Sequence, residues 1–138
     1  MQNNKRPMEL YRKNIYAKCR LLSSFEGGRL TDGQGESMYA QVHMTDQDTP
    51  LIDGLTDKGA EWLNGRFSST LGGVSLNDAV PGETRGAQKM AEEIVAARVM
   101  AGWLEDKSKE RSESYARMAD QMALALRTML KPTLMEDY

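Results

Sequence analysis

The sequence has one cysteine, one histidine and no apolar run near the length of a membrane span. Each scarcity closes a class of function. A lone Cys19 forms no internal disulfide, so the chain is not a stapled secreted scaffold, and the cytoplasm is the expected compartment. With His43 as the only histidine, neither a His-based zinc site nor a Ser-His-Asp triad is expected within one chain. A span needs about 20 consecutive apolar residues, and no stretch approaches that, so no membrane partner is expected. The first residues, MQNNKRPMELYRKN, are basic without an apolar segment behind them, which is not expected of a secretory signal.

What is present is ordinary for a globular protein. The 138 residues are 40% apolar and 28% charged, enough for one domain with a real core. The formal net charge is only −2, but it is unevenly placed. Residues 1–35 hold seven Lys/Arg against three acids, and residues 36–82 hold two against seven. Such segments could be matched inside one fold or between neighbouring subunits. The imbalance is too small to argue for nucleic acid alone.

Periodicity predicts an all-α fold, a small bundle of about four helices with long loops. Pro7 suits a helix N1 position, and Met8, Tyr11, Ile15, Cys19, Leu22 and Phe25 follow at three- and four-residue steps up to Gly27-Gly28, predicting a helix over 7–26. Residues 36–44 alternate in a way that suits a short strand or a helical turn, and a short β-strand or hairpin is expected within 36–44 and 73–77, with Val74 and Leu76 in an extended piece. A helix over 49–71 carries Leu55, Trp62 and Leu63 on its apolar face but contains Gly54, Gly59 and Gly65. Each glycine costs up to about 1 kcal/mol relative to alanine, so either a neighbouring backbone approaches closely there or the helix is broken. Residues 85–105 are apolar nearly all round, the mark of a central buried helix, with Ile94, Ala101 and Leu104 in its main stripe. After a polar break at 105–111, a helix over 110–131 places Met118, Met122 and Leu126 on one broad face. Pro132 is expected to stop it, leaving 132–138 as a flexible tail.

No constellation of catalytic or cofactor-binding residues is found. Cys19 lies on an apolar helix face, where a thiol is an inert small hydrophobe. His43 is expected at the surface or in a loop. Asp46, Asp48, Asp53 and Asp57 fail the calcium-loop template, because Pro50 and Leu51 stand where a ligand and the obligatory glycine belong. Asp46 and Asp48 suit a helix start instead. Gly33-Gln34-Gly35 is followed by no Gly-Lys-Ser/Thr, so it is a turn. Glu92-Glu93 and Glu105-Asp106 are adjacent helical carboxylates that face different ways and are expected to be solvated. Two features suit an interface. Arg6, Lys13 and Arg20, seven apart, form a basic stripe opposite the apolar face of their helix. Leu124 lies within the polar arc of Arg117, Asp120, Arg127 and Lys131, so a helix that buries it has a second contact face.

Several segments recur together: LYRKNIYAK at 10–18, TDQD at 45–48, IVAARVMAGWL at 94–104, a charged break, YARMADQM at 115–122, and Lys131-Pro132. The set resembles the head–tail connector, or neck adaptor, family of tailed phages and prophages, although the three glycines of the second long helix depart from its pattern. The resemblance implies a non-enzymatic structural protein without cofactor or metal, located at the virion neck and, during assembly, in the bacterial host cytoplasm. It implies a homo-oligomeric ring that bridges portal and tail proteins, with DNA passing through its channel without sequence recognition. The alternative reading from the residues themselves is a small regulatory or nucleic-acid-binding helical module that uses the basic stripe.

Overall fold

A computed structural model describes the backbone of residues 7–71 and 73–135 and the side chains of 7–67 and 73–130. In chain order the elements are β1 (Met8–Tyr11), α1 (Arg12–Gly27), α2 (Tyr39–Val42), a 3₁₀ turn (Asp46–Asp48), α3 (Thr49–Leu71), β2 (Val74–Asn77), α4 (Gly86–Leu104) and α5 (Lys109–Met135). The predicted helical bundle with a short extended piece is therefore the architecture. None of the described helices is long and apolar enough to cross a membrane.

Helix α4 is the centre, as its all-round apolarity predicts. Ile94, Val95, Ala96, Val99, Met100 and Leu104 are fully buried, and α1, α3 and α5 pack around it. Five contacts set the directions. Asn14 near the start of α1 meets Glu92, and Cys19 one turn later meets the Ala96 carbonyl, so α1 runs parallel to α4. Gly59 of α3 packs at Val95 and Leu55 at Gly102, so α3 runs antiparallel. Ser112 Oγ donates to the Ala101 carbonyl at 2.7 Å, so α5 doubles back after the turn at 105–108. Helices α3 and α5 are consequently parallel to each other on neighbouring sides of α4.

The glycines of α3 separate into two kinds. The helix is continuous through all three, and a Cβ at Gly59 would stand 3.1 Å from Val95 Cγ1 and 3.3 Å from the Val95 carbonyl oxygen. Gly54 and Gly65 face open space. Gly65→Ala is thus expected to raise stability by up to about 1 kcal/mol through a smaller unfolded-state entropy. Gly59→Leu should lower it by roughly 1–3 kcal/mol through overpacking. Denaturant midpoints measure both, and similar effects at the two positions would refute the close approach.

The structure differs from the sequence expectation at both ends of the chain. Residues 8–11 are a strand where a helix beginning at Pro7 was expected. Strand β1 pairs in parallel with β2, Met8 opposite Val74 and Tyr11 opposite Asn77, and Gln88 Nε2 of α4 donates to the Glu9 carbonyl at 2.7 Å. The partner strand begins 66 residues away, so local spacing alone could not distinguish buried Leu10 in a strand from Leu10 on a helix. Gly73 opens β2 with φ +90°, and a side chain there would run into the Asn64 carboxamide, which accepts the Val74 N–H. Within 36–44 the regular element is the helical turn α2, with no strand. At the other end, α5 continues through Pro132 to Met135. A proline in a helix loses the bond of its own N–H and crowds the carbonyl four residues earlier, which disfavours the helix at one position without ending it. Residues 136–138 lie outside the described residues.

The buried stripes are narrower than periodicity suggested. Ile15, Cys19, Ile94, Ala101, Leu104 and Leu126 are in the core, and Leu22, Leu55, Trp62 and Met122 pack against it half-buried. Met118, expected inside, is 40% exposed, and Phe25 is 56% exposed. Helix α5 meets α4 along Ser112, Tyr115, Ala119, Ala123 and Leu126, and nothing described in the chain covers the flank that carries Met118. In α1 the inward positions near the C-terminus are Ser23 and Glu26 rather than Phe25.

Candidate functional site

The charge asymmetry of the sequence is matched, in part, inside the fold. Arg12, at the first position of α1, reaches Asp53 (3.4 Å) and Asp57 (2.9 Å) on α3 and Asp78 (2.8 Å) just beyond β2. Burial lowers its pKa, but the hydrogen bonds and charges of Asp57 and Asp78 outweigh that and raise it overall. Arg20 pairs with Asp46, whose carboxyl is held below its ordinary value by the hydrogen bond and charge of that guanidinium. Of the predicted basic stripe, Lys13 is exposed, Arg20 is engaged, and Arg6 lies outside the described residues. Arg12, which the seven-residue spacing passed over, is the arginine that ties α1 to the acidic segment.

The other singled-out groups have structural roles. Cys19 is fully buried, and burial pushes its thiol up to about 12. It is expected to resist a thiol reagent at mildly alkaline pH until the chain is unfolded, and prompt labelling of the folded protein would contradict this placement. His43 lies in the loop after α2, as read from sequence, where it is half-buried and stacks on Tyr39 with ring centroids 4.9 Å apart. Asp48 accepts the Thr45 N–H at 2.8 Å and so caps the 3₁₀ turn that leads directly into α3. No group of three or more His, Cys, Asp or Glu suited to a metal ion occurs among the described residues.

Two acids were misread as solvated or went unnoticed. Glu92 is 5% exposed. It accepts the Tyr11 N–H at 2.7 Å, the Thr84 hydroxyl at 2.8 Å and the Asn14 amide at 3.2 Å, so a carboxylate from the central helix neutralises the start of α1. Glu26, buried at the end of α1, receives both Arg111 Nε (3.0 Å) and Arg111 Nη2 (2.9 Å), together with the Tyr115 hydroxyl (2.8 Å). Burial pushes the Glu26 carboxyl up, but the bonds from Arg111 and Tyr115 and the charges of Arg111 and Arg29 outweigh it, leaving the group below its ordinary value. Both networks join elements about 80 residues apart, which no local pattern could reveal.

The surface with the most unused binding capacity is the groove between α3 and α5. Both helices pack on α4 and, among the described residues, have few contacts with each other; α4 forms the floor at the end that holds Arg98, Ala101 and Gly102. The groove has two hollows: one of about 330 Å³ beside Lys58, Arg98 and Ala116, and one of about 370 Å³ beside Arg66, Ala123, Leu124 and Arg127. Between them, Arg66 and Arg98 lie over the Trp62 ring at 3.8 and 4.6 Å, and Arg127 lies over Phe67 at 6.0 Å. Leu124 stands 65% exposed on the rim. Helical spacing marks Leu124 as an interface residue and puts Trp62 in the core, but does not single out the arginines. The i, i+4, i+8 spacing of Lys58, Trp62 and Arg66 was the available signal. Comparison with protein-family models, with curated proteins and with solved structures finds no match to this chain.

Proposed function

We propose that the chain is a structural assembly protein, a phage neck adaptor that bridges portal and tail as an oligomeric ring. The observation that supports the reading most is the set of large apolar side chains left exposed on the two outer helices: Leu21 (66%) and Phe25 (56%) on α1, and Met118, Leu124 and Met129 on α5. Scattered exposed apolar residues are ordinary, but Leu21 and Phe25 one turn apart on α1, with Met118 and Met129 on one flank of α5 and Leu124 on another, suit protein–protein contact, and methionine suits adaptable surfaces. DNA would pass through the ring channel without being read. The alternative, a nucleic-acid-binding module, draws on Lys13 and on Arg6, while Arg20 is engaged by Asp46, so the surface favours assembly.

The test is co-expression with the portal protein of the same genome, followed by mass measurement and negative-stain imaging. The expected outcome is ring-shaped particles, alone or on the portal, that disappear when Leu124 and Met118 are both changed to Asp. A protein that stays monomeric and ignores the portal under all these conditions would overturn the reading.

A further inference from the structure

We propose that the groove between α3 and α5 docks an acidic, amphipathic helical segment of a partner protein. The inference stands on the chemistry of the groove and does not depend on the neck reading.

The shape comes first. Leu55 on α3 and Ser112 on α5 are level with the same stretch of α4, since one meets Gly102 and the other the Ala101 carbonyl. Because α3 and α5 are parallel, Arg66 and Ala123, each eleven residues further on, are level again, and both line the second hollow. The two hollows therefore lie on one line along the groove, about 16 Å apart at 1.5 Å of rise per residue, with the stack of Arg66 and Arg98 on Trp62 between them. Gly59, Ala101 and Gly102 line one hollow and Ala123 the other. Such a groove accommodates about three turns of a third helix.

The charge identifies the occupant. Lys58, Arg66, Arg98 and Arg127 line the groove against only Asp120 and Glu105. Arg66 touches Asp120 at 3.7 Å, beyond hydrogen-bond reach, and its side chain makes no hydrogen bond to a described residue. The side chains of Arg98 and Arg127 have neither a carboxylate nor a hydrogen-bond acceptor among the described residues, yet each rests on an aromatic ring. A guanidinium held by a ring with its N–H edges free is preorganised for a carboxylate or a phosphate, because little rotamer entropy remains to be lost on binding. The lining decides between these anions. Leu124, Ala116 and Ala123 offer apolar contact without a stacking platform, Phe67 is almost fully buried beneath Arg127, and Trp62 is already engaged by two guanidinium groups, which leaves little for a base. Asp120 and Glu105 would also repel a continuous phosphate backbone, whereas a helix can place its carboxylates selectively. An amphipathic helix with acids on one flank and an apolar edge against Leu124 satisfies the whole lining.

The test presents the full chain to a displayed library of random 16-residue peptides and, separately, to labelled single- and double-stranded DNA. Peptides enriched in Asp and Glu, with Leu, Phe or Met at three- and four-residue steps, are expected to emerge. The selected peptide should bind about tenfold or more weakly to Arg98→Gln and to Arg127→Gln, as removal of a charged hydrogen bond implies. Leu124→Asp should abolish binding, and Lys13→Gln, on the far side of the bundle, should leave it unchanged. Arg127→Gln guards against misfolding, because Arg127 is exposed, and circular dichroism confirms the fold of each variant. Selection of neutral or basic peptides, indifference to the groove variants, or tighter arginine-dependent binding of DNA would each overturn the proposal.

Discussion

Trp103→Ala is expected to remove about 3–5 kcal/mol of stability, the range for deleting a buried large aromatic side chain. The indole is 5% exposed in the core and donates its N–H to the Val42 carbonyl at 2.7 Å. Its outer face carries the Lys107 ammonium 4.0 Å from the ring centre. The substitution therefore leaves a cavity at the end of α4 and orphans a carbonyl at the end of α2. Trp103→Phe fills most of the space and isolates the second effect, expected near 1–3 kcal/mol for an unsatisfied buried acceptor. Urea midpoints of the two variants separate the contributions. A loss below about 1 kcal/mol for Trp103→Ala would mean that α2 and the end of α4 are not coupled through this ring.

Arg111→Ala should be comparably severe, at about 3–5 kcal/mol near neutral pH, because it strands the Glu26 carboxylate in the interior. The pH dependence gives this prediction its sign. In the native chain the folded pKa of Glu26 is lowered, so its contribution to stability is present above the ordinary carboxylate value and is lost as pH falls through the folded value. Without Arg111 the burial effect has lost its main opponent, and the carboxyl protonates readily once it is buried. The difference between native and variant stability should accordingly shrink on acidification. Glu26→Gln combined with Arg111→Met removes both charges and should recover much of the loss. Unfolding curves across acidic to neutral pH measure both effects, and a pH-independent difference would show that the pair is not electrostatically coupled. Tyr115, pushed up by burial and then by Glu26, stays protonated and keeps its hydroxyl as a donor throughout this range.

The parts of this fold that were legible in sequence are those whose cause is local. Helix α4 could be recognised because fourteen residues, from Ala91 to Leu104, are apolar almost all round, and only a central helix can bury such a surface. Asp48 announced the start of α3 because capping needs a short acid within three residues of the helix entry. Cys19 and Leu124 were placed correctly, one inside and one outside, by helical spacing alone. Strand β1 was not legible, since its pairing partner is remote and its four residues also fit a helical period. Met118 was misplaced because a wheel gives the direction of a side chain and cannot say how wide the neighbouring helix is. The arginines of the groove escaped notice for a similar reason. Each looks like a solvated surface charge until α3, α4 and α5 are packed together around Trp62.

The parallel pairing of β1 with β2 also has a kinetic meaning. Met8 meets Val74 across a loop of more than sixty residues, so this contact closes late, after its entropic cost has been offset by packing elsewhere. The α4–α5 hairpin, joined by a turn of four residues, needs no such closure and is the natural nucleus. Amide exchange should therefore find the Met8–Tyr11 and Val74–Asn77 amides opening in a low-energy excursion while α4 stays protected. The N-terminal strand then behaves as a latch on a bundle that is already formed, released and refastened many times for each global unfolding.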